Sequence, residues 1–171
     1  MNWKTEAKRK GEEAEEEFKK WLDEHKINYL YIKQGIKSFP KSFSKELKRP
    51  DFIILLPDAG LIMVDVKRRD IIYKYNDIAV DIPDLIKFDN FQRKFHIPIW
   101  YAFSNENLNY EDWFWIPLSD VIRLYKDFKM TSKRIGFTSS KSKKDYYPVK
   151  LDNFIKVNKR EKLIKIFSKS F

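Results

Sequence analysis

The sequence contains no cysteine, and its 171 residues include only two histidines, His25 and His96. Disulfides and thiolate metal sites are therefore excluded, and two isolated histidines do not make a zinc site. Any metal ion must be held mainly by oxygen atoms. The chain also lacks an apolar run near the roughly 18 residues of a membrane span, and its amino terminus lacks the apolar core of a signal peptide. We expect a cytoplasmic protein with no membrane partner.

Glycine is scarce, with four residues, whereas hydrophobic residues make up 43% and aromatic residues 16% of the chain. This composition supplies a core and shows no signature of disorder. A chain of 171 residues is long enough for one domain and too short for two comfortable ones. We therefore expect one globular domain.

Acidic residues are scarce only in the last third of the chain. Residues 119–171 contain 15 Lys and Arg against 5 Asp and Glu, whereas residues 1–118 contain 20 of each class. All of the formal net charge of +10 therefore comes from the carboxyl-terminal third. A one-sided basic surface attracts polyanions through phosphate neutralisation and counterion release, so nucleic acid is the expected partner. An anionic membrane is the weaker alternative, because no strongly amphipathic basic helix dominates this region.

Hydrophobic periodicity predicts an α/β succession of helices and strands without internal repeats. Residues 5–25 combine strong helix formers with apolar residues at helical spacing. Two β-favouring runs joined by PDAG, a turn sequence with proline and glycine, indicate a hairpin. The predicted elements are a helix over 5–25, a strand over 28–36, hairpin strands over 51–56 and 61–67, a helix over 83–95, strands over 97–103 and 113–117, and a helix over 118–128.

The basic tail, residues 129–167, follows a less regular pattern in which aromatic residues are scattered among lysines. Basic residues interleaved with aromatics suit backbone contacts and base stacking on a nucleic acid. A solvated loop and hairpin covering one end of the core is an equally good interpretation. The candidate contacts in this tail are Lys133, Arg134, Lys141, Lys143 and Lys144.

Charged residues flank the predicted hairpin in the sequence. KRPD lies at the start of its first strand, and DVKRRD lies at the end of its second strand. A turn about Asp58 and Ala59 places Asp51 opposite Val66. Asp65 and Lys67 are two residues apart and therefore project from the same face of their strand. The turn thus gathers two carboxylates and an amine at one end of an apolar hairpin.

The negative charge of carboxylates at the end of this hairpin needs a positive partner, because the flanking Ile, Leu and Val runs indicate strands that are buried on both faces. Two nearby carboxylates repel unless a cation lies between them, and a hard divalent ion such as Mg²⁺ prefers oxygen ligands. The alternative is a structural ion-pair cluster of Asp65 with Lys67 at a sheet edge.

At these residues the sequence resembles the PD-(D/E)XK nuclease superfamily, which has the restriction-endonuclease-like fold. Pro50 and Asp51 match the PD element, and Asp65-Val66-Lys67 matches (D/E)XK in its Asp form. Gly11 to Glu15 fits the Gly-x-x-x-Glu pattern of many members, including archaeal-type Holliday junction resolvases. Gln92 is the candidate for a glutamine found in the following helix of several branches. The resemblance spans residues 11 to about 103.

The resemblance implies an α/β core with a central mixed sheet flanked by helices, over residues 1–118, followed by a basic carboxyl-terminal extension of the same domain, 119–171. It also implies a DNA endonuclease that depends on Mg²⁺ or Mn²⁺, with branched or junction DNA among its expected substrates. The implied metal ligands are Asp51, Asp65, the backbone carbonyl of Val66, and Glu15. Lys67 would position or deprotonate the attacking water and contact the scissile phosphate, and Gln92 would orient water or phosphate.

Four further basic residues flank the hairpin ends and could hold substrate phosphates: Lys48, Arg49, Arg68 and Arg69. Charges that guard strand ends against aggregation are the ordinary alternative. A homodimer is among the expected partners, because nucleases of this kind often cut both strands as dimers. RNA stays open as a substrate, since phosphate contacts do not distinguish it from DNA. The competing functions are a restriction-type or mobile-element endonuclease, and a non-cleaving nucleic-acid-binding or assembly subunit.

Overall fold

A computed structural model of the chain describes residues 3–33, 46–57, 60–132, 136–139 and 144–161. Three α-helices and nine β-strands are formed by these residues. The helices are α1 (Trp3–Glu24), α2 (Ile82–Phe95) and α3 (Leu118–Ser132). The strands are β1 (Tyr29–Tyr31), β2 (Phe52–Leu56), β3 (Gly60–Arg68), β4 (Asp77–Asp81), β5 (Ile99–Ser104), β6 (Asp112–Pro117), β7 (Phe137–Thr138), β8 (Asp145–Lys150) and β9 (Ile155–Asn158).

The main sheet has six strands in the order β1-β2-β3-β5-β6-β9. β3 and β5 are parallel, and each other pair of neighbours in this sheet is antiparallel. A smaller antiparallel sheet has the order β4-β8-β7. The predicted α/β class with a central mixed sheet flanked by helices is confirmed.

Two apolar clusters cover the two faces of the main sheet. One joins the buried stripe of α1 to β2, β3 and β6, with Phe18 packed between Phe52 and Trp113. The other joins α2, α3 and the small sheet to β5, with Phe88 against Tyr101. Helices therefore lie on both faces, and the hairpin of β2 and β3 runs between them.

The hairpin forms as predicted, but its register differs by one residue. Leu56 pairs with Gly60 and Phe52 pairs with Val64, so each residue of β2 faces the residue of β3 one position earlier than predicted. The prediction that Asp51 lies opposite Val66 in the ladder was therefore wrong. Gly60 has a φ of 98°, a left-handed conformation that glycine adopts without strain.

The carboxyl-terminal segment is more regular than its composition predicts. β8 pairs with β4, and β9 forms the edge of the main sheet beside β6. Val149 and Val157 are buried in the two apolar clusters. The described part of residues 119–171 therefore belongs to the same core as the rest of the chain. Within the described ranges, no helix is long and apolar enough to cross a membrane.

Candidate active site

The first carboxylate of the site belongs to Asp51, which lies where the ladder between β2 and β3 ends. Its amide donates a hydrogen bond of 3.0 Å to the carbonyl of Val64, the residue that pairs with Phe52. Two successive residues thus face Val64, as at a β-bulge, a feature that redirects a side chain. The Oδ2 atom of Asp51 accepts a hydrogen bond of 2.9 Å from the amide of Val66. Asp51 therefore reaches Val66 through its side chain.

The second carboxylate belongs to Asp65, whose side chain is 0% exposed in the middle of β3. Its Oδ2 atom lies 2.5 Å from Nζ of Lys67. Among the described residues, no group donates a hydrogen bond to its Oδ1 atom. A buried acceptor without a donor costs about 1–3 kcal/mol, and more when it is charged. The Lys67 amine therefore offsets the charge of Asp65 at Oδ2, and Oδ1 has no such partner among the described residues.

Burial and neighbouring charges shift the pKa values of Asp51 and Lys67. Burial, with the neighbouring charge of Asp65, raises the pKa of Asp51 well above its ordinary value. Burial alone would lower the pKa of Lys67, but the carboxylates of Asp65, Asp51 and Asp84 outweigh it and raise the pKa. Lys67 is therefore an ammonium at neutral pH, held by the carboxylates around it.

A third acidic side chain approaches from α1. Burial raises the pKa of Glu15, and the charges of Lys67 and Asp65 are near enough to act on it. The Tyr31 hydroxyl donates a hydrogen bond of 2.7 Å to its Oε2 atom. This contact joins α1 to β1 and fixes where the carboxylate points. Glu15 thus lies near the predicted site, supported by a tyrosine that the sequence patterns did not single out.

Asp84, in the first turn of α2, also belongs to the cluster and was missed by sequence reasoning. Its Oδ2 atom pairs with Nζ of Lys48 and lies 3.9 Å from Nζ of Lys67. Burial would raise the pKa of Asp84, but Lys48 and Lys67 hold it below its ordinary value. Both amines also lie within 6 Å of the ring centre of Phe88. An aspartate after a proline reads as a helix-start residue, so nothing in the sequence marked it.

The fit of this cluster to a metal ion depends on a small set of oxygen atoms. Within the described ranges, no three His, Cys, Asp or Glu side chains form a group that could hold a metal. The carboxylates of Asp51 and Asp65 nevertheless share the end of the hairpin, and Asp65 keeps an unbonded oxygen. In an extended strand the amide and the carbonyl of one residue point to the same side, so the Val66 carbonyl lies on the side of β3 on which its amide binds Asp51. These oxygens fit a hard cation such as Mg²⁺, which retains several waters and takes few protein ligands.

Gln92 makes a contact that gives it a structural role. Its Oε1 atom accepts a hydrogen bond of 2.9 Å from the amide of Ile99, the first residue of β5. Ile99 pairs with Met63, two residues before Asp65 along β3. The side chain of Gln92 therefore fixes the beginning of β5, and a catalytic role for it stays a prediction.

The two arginines after Lys67 are held by acidic partners. Arg68 donates to both carboxylate oxygens of Glu106, at 2.7 and 2.6 Å, and to Asp70 at 2.7 Å. Its hydrogen bonds hold the pKa of Glu106 well below its ordinary value. Arg69 donates to Asp81 at 2.8 Å. The planar fork of Arg68 is thus engaged on two sides, and a contact of Arg68 with a substrate phosphate stays a prediction.

The structure describes three of the other candidate phosphate contacts: Lys48, Arg49 and Lys144. Lys48 pairs with Asp84, as described above, and Arg49 is half-buried beside it in the chain. Lys144 is exposed, with its Nζ 3.9 Å from the Asp81 carboxylate that also receives Arg69. The remaining candidates lie outside the described residues: Lys133, Arg134, Lys141 and Lys143.

Comparison with known proteins gives structural neighbours only. No protein-family model matches the sequence, and no curated protein matches it. The structure is similar to that of Hjc, a Holliday junction resolvase from the archaeal hyperthermophile Archaeoglobus fulgidus, at 14% identity and a TM-score of 0.45, over 64% of this chain and 78% of that one. It is also similar to D212, a nuclease from a fusselovirus, at 12% identity and a TM-score of 0.42, over 90% and 86% of the two chains.

Proposed function

We propose that this protein is a metal-dependent nuclease of the PD-(D/E)XK type that hydrolyses phosphodiester bonds in DNA. The observation that carries the proposal is the wholly buried carboxylate of Asp65, 2.5 Å from the Lys67 amine and beside Asp51 at the end of the hairpin. Buried carboxylates with one unbonded oxygen are costly to the fold. Perturbed, costly groups gathered at one place are typical of a functional site.

The acidic residues would hold Mg²⁺ or Mn²⁺ at the end of the hairpin. Asp51, Asp65 and the Val66 carbonyl would be its ligands, with Glu15 at the α1 side of the ion. Such an ion, when bound, lowers the pKa of a coordinated water and offsets charge on the reacting phosphate. The amide of Val66 and the Tyr31 hydroxyl hold the carboxylates of Asp51 and Glu15 in place for this task.

Lys67 would act on the substrate as an ammonium. In the metal-free protein its pKa is raised by the surrounding carboxylates, so at neutral pH it carries no lone pair there with which to accept a proton, whereas a bound cation would lower this pKa. It can donate hydrogen bonds to an oxygen of the scissile phosphate and stabilise negative charge there. Of the two roles implied for Lys67, contact with the phosphate is the one that the charges of the metal-free site favour.

A Lys67→Ala variant tests this role directly. We expect it to bind DNA within about twofold of the wild type, because one phosphate contact of several is lost, and to lose cleavage by about a hundredfold or more. Gel-shift binding in EDTA and nicking of labelled DNA in Mg²⁺ measure the two effects. Lys8→Ala, at an exposed position of α1, is the matched control and should change neither. Cleavage by Lys67→Ala at the wild-type rate would refute the assignment.

The DNA structure that is cut forms the finer part of the proposal. The basic excess of the carboxyl-terminal third supports binding to a phosphate backbone and carries no information on sequence or shape. We propose branched or junction DNA. A panel of four-way junctions, flaps, linear duplex and modified duplex separates this substrate from those of restriction-type enzymes. Preferential cleavage of plain or modified duplex would contradict the branched-DNA part.

One observation favours a second candidate, a nucleic-acid-binding or assembly subunit that does not cleave. Lys67 itself neutralises Asp65 in this structure, so the pair could serve stability alone. Calorimetric titration with Mg²⁺ distinguishes the two candidates. A nuclease should show binding that Asp51→Asn abolishes, whereas a purely structural pair should show no binding in either protein.

A further inference from the structure

A short turn after β3 carries two of the most exposed aromatic side chains in the described chain. We name residues 72–77 the tyrosine tip, since Tyr73 and Tyr75 lie at its end. Tyr73 is 74% exposed and Tyr75 is 55% exposed. Aromatic side chains usually bury most of their area, so this pair needs an explanation.

The backbone of the tyrosine tip is firmly held although its rings are exposed. A bridge between Ile72 and Asp77 closes the turn, and the amide of Tyr75 donates to the Ile72 carbonyl at 2.9 Å. Lys150 donates to the carbonyl of Tyr75 at 2.6 Å, and its Nζ lies 3.6 Å from the carboxylate of Asp77. The turn is therefore built to present its side chains at fixed positions, which lowers the entropic cost of using them in binding.

The tip lies close to the proposed active site along the chain. Tyr73 follows Lys67 by six residues, so the Cα atoms of the two residues are at most about 22 Å apart. One strand of a duplex rises about 3.4 Å per nucleotide. A DNA strand with its phosphate at Lys67 therefore spans this distance within about seven nucleotides.

The chemistry of the tip suits bases that are not paired. Lys74 lies between the two tyrosines in sequence, and its Nζ is 5.2 Å from the ring centre of Tyr75. A cation beside exposed rings matches a phosphate beside a base. Aromatic rings stack on any base whose face is free, whereas the faces of paired bases are covered by their neighbours in the duplex.

We propose that Tyr73 and Tyr75 stack on unpaired bases of the DNA substrate, and that this contact selects DNA with single-stranded segments within about seven nucleotides of the cleavage point. The inference rests on the proposed function, because that function places the scissile phosphate at Lys67 and therefore in reach of the tyrosine tip. Its binding step can be measured without cleavage, so the two can fail separately.

The test is fluorescence anisotropy in EDTA with three labelled DNAs: a single strand, a duplex of the same sequence, and a fork with unpaired arms. The double variant Tyr73→Ala, Tyr75→Ala should bind the single strand and the fork about tenfold or more weakly than the wild type, and the duplex within about twofold. Tyr73→Phe, Tyr75→Phe keeps both rings and should bind all three like the wild type. Met130→Ala, which alters an exposed apolar side chain on α3, is the surface control and should also have no effect.

Several results would overturn the inference. They are wild-type binding by the alanine variant, an equal loss on duplex, a loss of the same size in the phenylalanine variant, or no binding of single strands by the wild-type protein. The last result would indicate a protein partner for the tip. If the wild type cleaves no DNA but the alanine variant loses single-strand binding, the stacking inference stands and the proposed function fails. If cleavage is normal and the alanine variant binds like the wild type, the reverse holds.

Discussion

Asp51 shows how a single residue can be costly to the fold and still be held in a defined position. It is buried, its pKa is raised by burial and by Asp65, and its side chain is fixed by the amide of Val66. The sequence predicted that Asp51, Asp65 and Lys67 meet, because alternation along β3 and a turn signal determine which residues can share an end of the hairpin. It could not predict Asp84, which reaches Lys67 from a distant helix only through tertiary packing.

Asp51→Asn should raise stability at neutral pH in the absence of metal. The raised pKa of Asp51 means that the folded state holds a proton more tightly than the unfolded state. The free energy of unfolding therefore falls as pH rises above the ordinary aspartate value of 3.8 and through the folded pKa. The variant removes this dependence and should gain about 1 kcal/mol at pH 7. The measurement is urea unfolding in EDTA between pH 4 and pH 8.

The pH slope that comes from Glu15 should remain in this variant, because the pKa of Glu15 is also raised by burial. An Asp51→Asn protein that is less stable than the wild type at pH 7, or one with an unchanged pH slope, would contradict the description of Asp51.

Whole elements were predicted where the sequence pattern is long or strongly periodic. α1 and the β2–β3 hairpin have apolar residues at the period of their structure, so they could be recognised without tertiary information. β4, β8 and β9 were missed because they contain charged residues and are stabilised by pairing with strands that are distant in the sequence. The predicted register of the hairpin was wrong by one residue, because the length of the turn sets the strand pairing. Hydrophobic pattern alone does not determine that length.

Two glycines provide a test of how the elements pack. A Cβ atom at Gly136 would lie 2.3 Å from Cδ1 of Ile82 and 2.8 Å from the backbone carbonyl oxygen of Tyr146. Gly136→Ala should therefore lower the free energy of unfolding by about 1–3 kcal/mol, since the backbone of β8 cannot easily move away. Chemical denaturation measures the change.

Gly11→Ala is the matched control. A Cβ atom at Gly11 meets no atom within 4 Å, and the residue lies inside α1. Alanine is a better helix former than glycine, so this variant should be more stable by about 0.5–1 kcal/mol. Equal effects of the two substitutions would show that the described packing of β7 and β8 against α2 is incorrect.

At the scale of the whole molecule, the two apolar clusters and the mixed sheet position three elements near the Lys67 amine. These elements are the end of the hairpin, α1 with Glu15, and α2 with Asp84. Charge is distributed unevenly over this scaffold, with the whole excess of +10 in residues 119–171. The sequence showed that excess at once, because charge needs only counting. It did not show that the same segment would complete the main sheet through β9. The nuclease proposal assigns contacts with the DNA backbone to this segment, whose described part contributes Val149 and Val157 to the core.

The most direct measurement is DNA cleavage by the wild-type protein and by Asp65→Asn, in Mg²⁺ and in EDTA, on the same panel of branched and duplex DNA. Asp112→Asn, at a partly buried aspartate of β6 that is ion-paired with Lys156, is the matched control. The nuclease proposal predicts that the wild type and Asp112→Asn cleave in Mg²⁺ and not in EDTA, and that Asp65→Asn loses about a hundredfold or more. Cleavage by Asp65→Asn at the wild-type rate, or wild-type cleavage that persists in EDTA, would contradict it.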